Sequence, residues 1–315
     1  METKFTEPAS RNTRFVYMSQ PVTRSSTAEM KLARGFCDLN ISASDDDLKN
    51  TVLKALSIGY QTVAINREVI DNSTSEKKKR KKGDFPMVPP PPKLELSEED
   101  LRQHGITREP VILTRITVTY SDPGSAFLSK FREVIKQYDI IAFTPTTEGA
   151  LKQTVCQTLV DVDIISLNPN EQGARFARKL LRLAVERDIY FELSYGPCIL
   201  NSGSRQRTIT LSHILHQCSR SANIIVTSQA RVPSHLRHPY DVMNLGLFFG
   251  LTEGAAKQAI VSLSHNVVYC AASRRKGAAK CVAQVTFLDT DTPKSKFDGL
   301  GNARKFLKTN TGISD

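Results

Sequence analysis

The feature that most constrains this chain is an alternation that starts at residue 35 and continues to residue 227. Short runs of aliphatic and β-branched residues alternate with stretches whose apolar residues recur every three to four positions. The runs read as strands and the 3.6-residue period as helices. Gly35-Phe36-Cys37-Asp38-Leu39-Asn40-Ile41 is the first strand, followed by Thr62 to Ile65, Val111 to Val118, Ile140 to Phe143, Ile164 to Leu167, Ile189 to Leu193 and Ile224 to Thr227. Ser44 stands where a helix cap belongs, with Asp45, Asp46 and Asp47 in the first turn, where the helix dipole favours anions. Leu48, Val52, Ala55 and Leu56 form that helix's stripe, and Gly59 ends it. Ser97 to Asp100 reads as a second helix start. Phe127, Phe131, Val134 and Ile135 mark the next helix, and Thr147 to Leu159 another. Phe176, Leu180, Leu183 and Ala184 give a further inner face, as do Leu211, Ile214, Leu215 and Cys218. Helices around Asp241 to Phe249 and Glu253 to Leu263 finish the pattern.

Strands separated by helices at this spacing pair in parallel through right-handed crossovers. Two α/β architectures fit seven such strands: a TIM-barrel-like (β/α) barrel, irregular or seven-stranded, and an open doubly wound sheet. The open sheet is a nucleotide-binding fold by habit, but no GxGxxG or GxxxxGK[ST] loop follows any strand. The barrel is therefore the expected fold, and its functional groups should lie in the loops after the strands.

Charge divides the chain further. Residues 1–34 carry six basic and three acidic groups, residues 76–93 seven and two, and residues 271–315 nine and four. The formal net charge is +11, so everything outside these segments is slightly acidic. The expected organisation is an N-terminal arm (1–34), a barrel (35–270) interrupted by a basic, Pro-rich loop insertion (71–93), and a basic, mostly disordered tail (271–315). Basic appendages on a neutral scaffold point to a polyanionic partner. The sharpest run is Lys77-Lys78-Lys79-Arg80-Lys81-Lys82, whose six adjacent cations cannot be buried; it reads as a nuclear localisation signal or a nucleic-acid contact. Pro86 and Pro89 to Pro92 follow it and favour an extended backbone. Six single cysteines without a CxxC pair suit a reducing compartment. Met1 to Arg34 contains no apolar stretch of about 7–15 residues, so no secretory signal is expected, and no run approaches the roughly 18 apolar residues of a membrane span.

The predicted strand-end loops hold Asn40, Arg67, Asn168, Tyr195, Arg205, Arg207, Arg231 and Arg237, a set rich in guanidinium and amide groups. A metal hydrolase needs several His, Asp or Glu side chains converging there, and a nucleophile needs a base beside it; neither set assembles. Neither a catalytic group nor a metal or cofactor is expected. Arg67, Arg175, Arg178, Arg205, Arg207, Arg231 and Arg237 are the candidate RNA contacts, because guanidinium forks suit phosphate oxygens. Arg205 and Arg207 follow the Gly/Ser-rich stretch Asn201-Ser202-Gly203-Ser204, read as a loop, while Arg175, Arg178 and Arg182 also fit a solvated helix stripe. His213 and His216 read as a solvated helix face; His235 and His238 lie beside Arg231 and Arg237, where they suit phosphate support.

Three segments carry a family resemblance: Gly35 to Ile41 as quoted above, Phe191-Glu192-Leu193-Ser194-Tyr195-Gly196-Pro197, and His238-Pro239-Tyr240-Asp241-Val242-Met243-Asn244-Leu245-Gly246. In this order, over residues 35 to 270, the chain resembles the thirty-kilodalton protein subunit of nuclear ribonuclease P and RNase MRP. The resemblance implies a TIM-barrel-like fold related to the polymerase and histidinol phosphatase (PHP) metal phosphoesterases. It also implies a role in removing the 5′ leader from precursor tRNA, with the RNA doing the chemistry. Expected partners are the RNase P RNA, with the MRP RNA as a second candidate, precursor tRNA as substrate of the complex, and other protein subunits including a small ferredoxin-like one, with more than one copy in the particle; no membrane partner is expected. The expected location is the nucleus and its nucleolus. Catalytic PHP relatives end the first strand with two His flanking one residue, where this chain has Asn40-Ile41-Ser42, and carry an acidic residue followed by His near the seventh strand, where it has Thr227-Ser228-Gln229-Ala230-Arg231. The rivals to a scaffold subunit are a PHP-type metal-dependent phosphoesterase and a general nucleic-acid-binding protein.

Overall fold

A computed structural model describes residues 32–71, 87–121, 126–156, 160–168, 178–220 and 222–275. Seven strands run in sequence order around one parallel sheet: β1 (Phe36–Ile41), β2 (Tyr60–Ile70), β3 (Val111–Tyr120), β4 (Ile140–Pro145), β5 (Ile164–Ser166), β6 (Tyr190–Ser194) and β7 (Ile224–Thr227). β7 returns to β1 through one parallel bridge, Ile41 to Ala230, reinforced by the Ser42 amide donating to the Ala230 carbonyl at 2.9 Å. The sheet is thus a seven-stranded, nearly closed barrel, the irregular member of the two expected architectures.

The helices are α1 (Asp45–Ser57), α2 (Glu98–Gln103), α3 (Ala126–Ile135), α4 (Glu148–Cys156), α5 (Arg178–Glu186), α6 (Gly196–Leu200), α7 (Ser202–Ser219), α8 (Pro239–Phe248), α9 (Glu253–Ile260) and α10 (Ser262–Arg275). Ser97 closes a capping box with Asp100 at the start of α2, each satisfying the other's backbone amide. Ser44 occupies the cap position of α1 in extended conformation but makes no capping bond; the three aspartates alone answer the dipole. Phe176, Leu159 and the side chain of Phe127, assigned to helix faces from the sequence, lie outside the described residues.

Apolar side chains pack in three clusters. One lies between β3–β7 and helices α3, α4, α5, α7 and α9. Another joins α1 to β1 and β2. The third fills the lower barrel, where Cys37, Leu39, Ala64, Leu113, Ile140 and Ile225 meet Val267, Val268 and Ala271 of α10. α10 therefore plugs the end of the barrel where the strands begin. Residues 271–275, assigned from the sequence to the tail, belong to this plug. The proline stretch is also tied down: Val88 is buried and the Pro89 carbonyl accepts the Tyr138 hydroxyl at 2.9 Å. Among the described residues no helix is long and apolar enough to cross a membrane.

Two glycines of the resembling segments are explained by close approach. A Cβ on Gly196 would stand 2.4 Å from the Ser228 carbonyl, where β6 turns into α6 beside β7. A Cβ on Gly246 would stand 2.8 Å from that of Ala256, where α8 crosses α9.

Candidate functional site

A β-strand projects alternate side chains inward, and in this barrel the middle layer of inward positions is polar. Arg115 on β3 and Glu192 on β6 are both wholly buried and face each other across it. The guanidinium grips the carboxylate in bidentate fashion, both N–O distances being 2.6 Å, and also donates to the Leu39 carbonyl at 2.8 Å. Around this pair Asn40 donates to Glu192 (3.1 Å), Asn66 to Asn40 (3.0 Å), Thr117 to Asn66 (2.8 Å) and Thr227 to Glu192 (2.7 Å), while Arg115 Nε donates to Thr117 (3.2 Å). A register shift in β1 between Asp38 and Ile41 turns Asn40 into this layer although Leu39 also faces inward. Burial pushes the Glu192 carboxyl upward, but the Arg115 charge and its hydrogen bonds, helped by Thr227 and Ser166, outweigh it and hold the group below its ordinary value.

Asp38 sits at the seam where β1 meets β7. Its Oδ1 accepts the amides of Ser228 (3.1 Å) and Asn40 (3.3 Å), while Oδ2 is buried without a hydrogen-bond partner. Burial raises its pKa to about 6, against the opposing pull of the Ser228 bonds.

Above the polar layer, at the strand C-termini, opens a cavity of about 670 Å³. Hydroxyls line much of it, from Thr117, Thr119, Thr144, Ser166, Ser194 and Thr208, and Asn40, Asn168, Asn201 and Gln229 add amides. Its charged lining is Glu68, Asp71 and Glu192 against Arg231 and the imidazole of His235.

This is not the arginine-rich mouth expected from the sequence. Of the candidate RNA contacts among the described residues only Arg231 lines the cavity, its guanidinium 3.8 Å from Glu68. Arg67 lies within β2, not in a loop after it, and pairs with Asp45. Asn201-Ser202-Gly203-Ser204 is not a loop: the Asn201 side chain accepts the Gly203 amide at 2.8 Å and starts α7, so Arg205 and Arg207 occupy its first turns. The loop reading failed because small polar residues serve caps and first turns as well as loops. Arg205 has a structural partner after all, donating from Nε to the Cys198 carbonyl at 2.9 Å. Arg207 is exposed and donates to the Gly203 carbonyl at 3.2 Å. Arg237 spends its guanidinium on the carbonyls of Ser234 and Leu236. Arg178 is exposed on α5. Arg175 and the run from Lys77 to Lys82 lie outside the described residues.

Among the histidines, His238 caps α8, accepting the Tyr240 amide at 3.3 Å, and its ring stacks on that of Tyr240. His213 is exposed as expected, but His216 is half-buried and burial lowers its pKa; Ile214, placed in the buried stripe from the sequence, is exposed. Among the described residues no three His, Cys, Asp or Glu side chains come together as a metal-binding group.

Sequence reasoning missed the buried pair, although a signal was present. One Arg and one Glu of opposite sign each interrupt an otherwise apolar or hydroxylic strand. In a barrel of this size such charges have no exit to solvent, and each requires the other. The pair also fixes the chemistry of the centre. Glu192 Oε1 already accepts from Arg115, Asn40 and Thr227 and Oε2 from Arg115, so the barrel itself takes most of the carboxylate's acceptor capacity, and a lowered pKa does not suit a general acid.

The three resembling segments converge here. β1 supplies Asn40, β6 supplies Glu192, and the Tyr195 hydroxyl beyond β6 accepts the amide of Arg237 at 3.2 Å, directly before His238. The profile of the RNase P subunit p30 family matches residues 35–276. The mouse ribonuclease P protein subunit p30 is 35% identical over 254 residues, 79% of this chain and 90% of that protein. The probable ribonuclease P protein subunit 3 of Schizosaccharomyces pombe is 34% identical over 166 residues, 52% of this chain and 68% of that protein. Among solved structures, a chain from a cryo-EM structure of archaeal ribonuclease P with mature tRNA aligns at a TM-score of 0.50 and 14% identity, covering 82% of this chain and 100% of that one, a likeness of fold. A family match over the whole barrel, and a relative matched over nine-tenths of its length, make this chain a member of the RNase P subunit p30 family.

Proposed function

We propose that the chain is a non-catalytic protein subunit of ribonuclease P. In this reading it supports removal of the 5′ leader from precursor tRNA by stabilising folded RNA and bridging protein subunits. The observation that carries the reading, beside family membership, is the barrel centre. Where a barrel hydrolase gathers ligands around a cation, this chain already holds the Arg115 guanidinium, which grips Glu192 in bidentate fashion. Asn40 and Ser42 at the end of β1 spend their side chains on the same polar layer, Ser42 donating to Asn40 at 2.9 Å. A PHP-type phosphoesterase is disfavoured on these grounds.

RNA would be held through phosphates. Arg178, Arg205, Arg207 and Arg231 are the exposed cations among the described candidates, although Arg205 also donates to the Cys198 carbonyl, whereas Arg67 and Arg237 are half-buried and held by Asp45 and by the Ser234 and Leu236 carbonyls. Arg175 and Lys77 to Lys82 remain candidates from the sequence, the latter also for entry into the nucleus and nucleolus. The MRP RNA, and a small ferredoxin-like subunit among several protein partners, belong to this proposal. Purifying the tagged chain from cells and sequencing the bound RNA tests it. One or two discrete abundant RNAs, the RNase P RNA and the MRP RNA, together with leader-bearing precursor tRNA accumulating on depletion, are the expected result. Stoichiometric metal on the isolated chain, with phosphoester turnover abolished by Asn40→Ala, would overturn it.

A further inference from the structure

The cavity at the barrel mouth has walls suited to a ligand, and its chemistry narrows the class. At about 670 Å³ it falls within the usual range for small-molecule sites. Among the described residues its charged lining is Glu68, which faces Arg231, Glu192, which Arg115 holds, and Asp71 and the imidazole of His235. With two of the three carboxylates facing guanidinium groups, this lining holds little net charge and suits an uncharged occupant. The hydroxyls and amides along its walls offer hydrogen bonds to the polar edge of a guest.

The rim differs from the walls. Ile70 at the end of β2 and Leu200 at the end of α6 are 55% and 64% exposed, and both line the cavity. They follow β2 and β6, well apart around the ring, so a guest entering between them meets apolar side chains on separate flanks. Tyr120 and Leu211 continue this apolar surface inward. The occupant should therefore have apolar faces and hydrogen-bonding edges, and no net charge. A nucleobase has that combination, whereas a sugar or polyol lacks the apolar faces. Unpaired bases are also what proteins read in RNA, by stacking and by contacts to their edges.

We propose that the barrel mouth is a nucleoside pocket, filled by the base of an unpaired RNA nucleotide whose backbone stays outside near Arg231. The identification of RNA as the source rests on the ribonuclease P reading; the pocket's chemistry does not. Calorimetric titration of the full-length chain with adenosine, guanosine, cytidine and uridine is the direct test. At least one should bind saturably, and inorganic phosphate and ribose 5-phosphate should not compete. Thr119→Val keeps the side-chain shape and removes a hydroxyl from the partly exposed wall; it should weaken binding by about three- to tenfold. Leu200→Ser changes an exposed position that the core does not need, and should weaken binding as well. No saturable binding, competition by phosphate, or affinities unchanged in both variants would overturn the pocket. A single-stranded oligonucleotide that displaces the bound nucleoside supports RNA as the source, and failure of every RNA to do so overturns that source. The two readings fail separately. A chain that purifies with the processing RNA but binds no nucleoside loses only the pocket, and one that binds nucleosides but carries no RNA loses the subunit assignment.

Discussion

At the scale of single residues, the barrel rests on charges that it cannot solvate. Arg115 and Glu192 are wholly buried, so removing one partner strands the other. Arg115→Met is expected to lower unfolding free energy by about 3–5 kcal/mol, the usual cost of an uncompensated buried charge. Adding Glu192→Met removes the stranded carboxylate and should recover at least about 2 kcal/mol of that loss, even though Asn40 and Thr227 lose an acceptor. Urea denaturation of the two single variants and the double variant measures the coupling; strict additivity would show that the pair is not a unit. Asp38 carries a second expectation. Its folded pKa of about 6 lies above the ordinary carboxylate value of 3.8, chiefly through burial. The folded chain therefore keeps a proton that the unfolded chain has lost between about pH 4 and pH 6. The stability this group contributes is present below that window and fades as pH rises through it. Asp38→Asn preserves an oxygen for the Ser228 and Asn40 amides and cannot ionise. Relative to its parent the variant should gain stability by about 3 kcal/mol between pH 4 and pH 7. A pH-independent difference between the two would remove Asp38 from the account.

At the scale of elements, α10 decides whether the barrel has a floor. Val267, Val268 and Ala271 cover the inward residues at the lower ends of the strands, from Cys37 on β1 to Ile225 on β7. A chain ending at residue 261 would expose that layer to water and is expected to lose cooperative thermal unfolding by circular dichroism, whereas one ending at residue 275 should melt like the full chain. Equal melting of both would mean the lower layer closes without the helix. The sequence reading placed all seven strands, because buried parallel strands are continuous apolar runs with little ambiguity. It ended β2 at Ile65, five residues early, because Asn66, Arg67 and Glu68 look like loop. In the barrel Asn66 belongs to the polar layer, and Arg67 reaches Asp45 outside it. α10 escaped notice for a related reason: Ser264, His265, Asn266 and Ser273 interrupt its apolar residues, and Ser264 is buried by donating to the Ala259 carbonyl at 2.8 Å. Likewise the polar start of α7 hid a helix behind residues typical of turns. The candidate site suffered most, because its key side chains are inward-facing strand residues, while the sequence argument looked for function in the loops after the strands.

At the scale of the whole molecule, the distribution of charge separates scaffold from grip. The segments 1–34, 76–93 and 271–315 together hold more net positive charge than the chain as a whole, so the remainder is slightly acidic. Among the described residues the barrel mouth is not basic either, since Arg115 holds Glu192 and Arg231 faces Glu68. A polyanion such as RNA would then be held largely by the basic segments and by scattered exposed arginines, with the barrel setting their positions. Binding of this kind releases counterions, so affinity should fall linearly on a log–log plot against salt, with a slope of roughly −0.7 to −0.9 per phosphate neutralised. Replacing Lys77 to Lys82 by Ser in the full-length chain should make the slope shallower by several units. Arg207→Ala should change it by about one, since one exposed guanidinium meets one phosphate. Arg205→Ala is the contrasting variant. Its Nε serves the Cys198 carbonyl, so its loss should appear in the melting temperature before it appears in the salt slope. Fluorescence anisotropy with a labelled structured RNA, repeated from low to physiological salt, reads all three. If the six-Ser variant keeps both affinity and slope, the run is an import signal alone and the RNA is held by other parts of the chain.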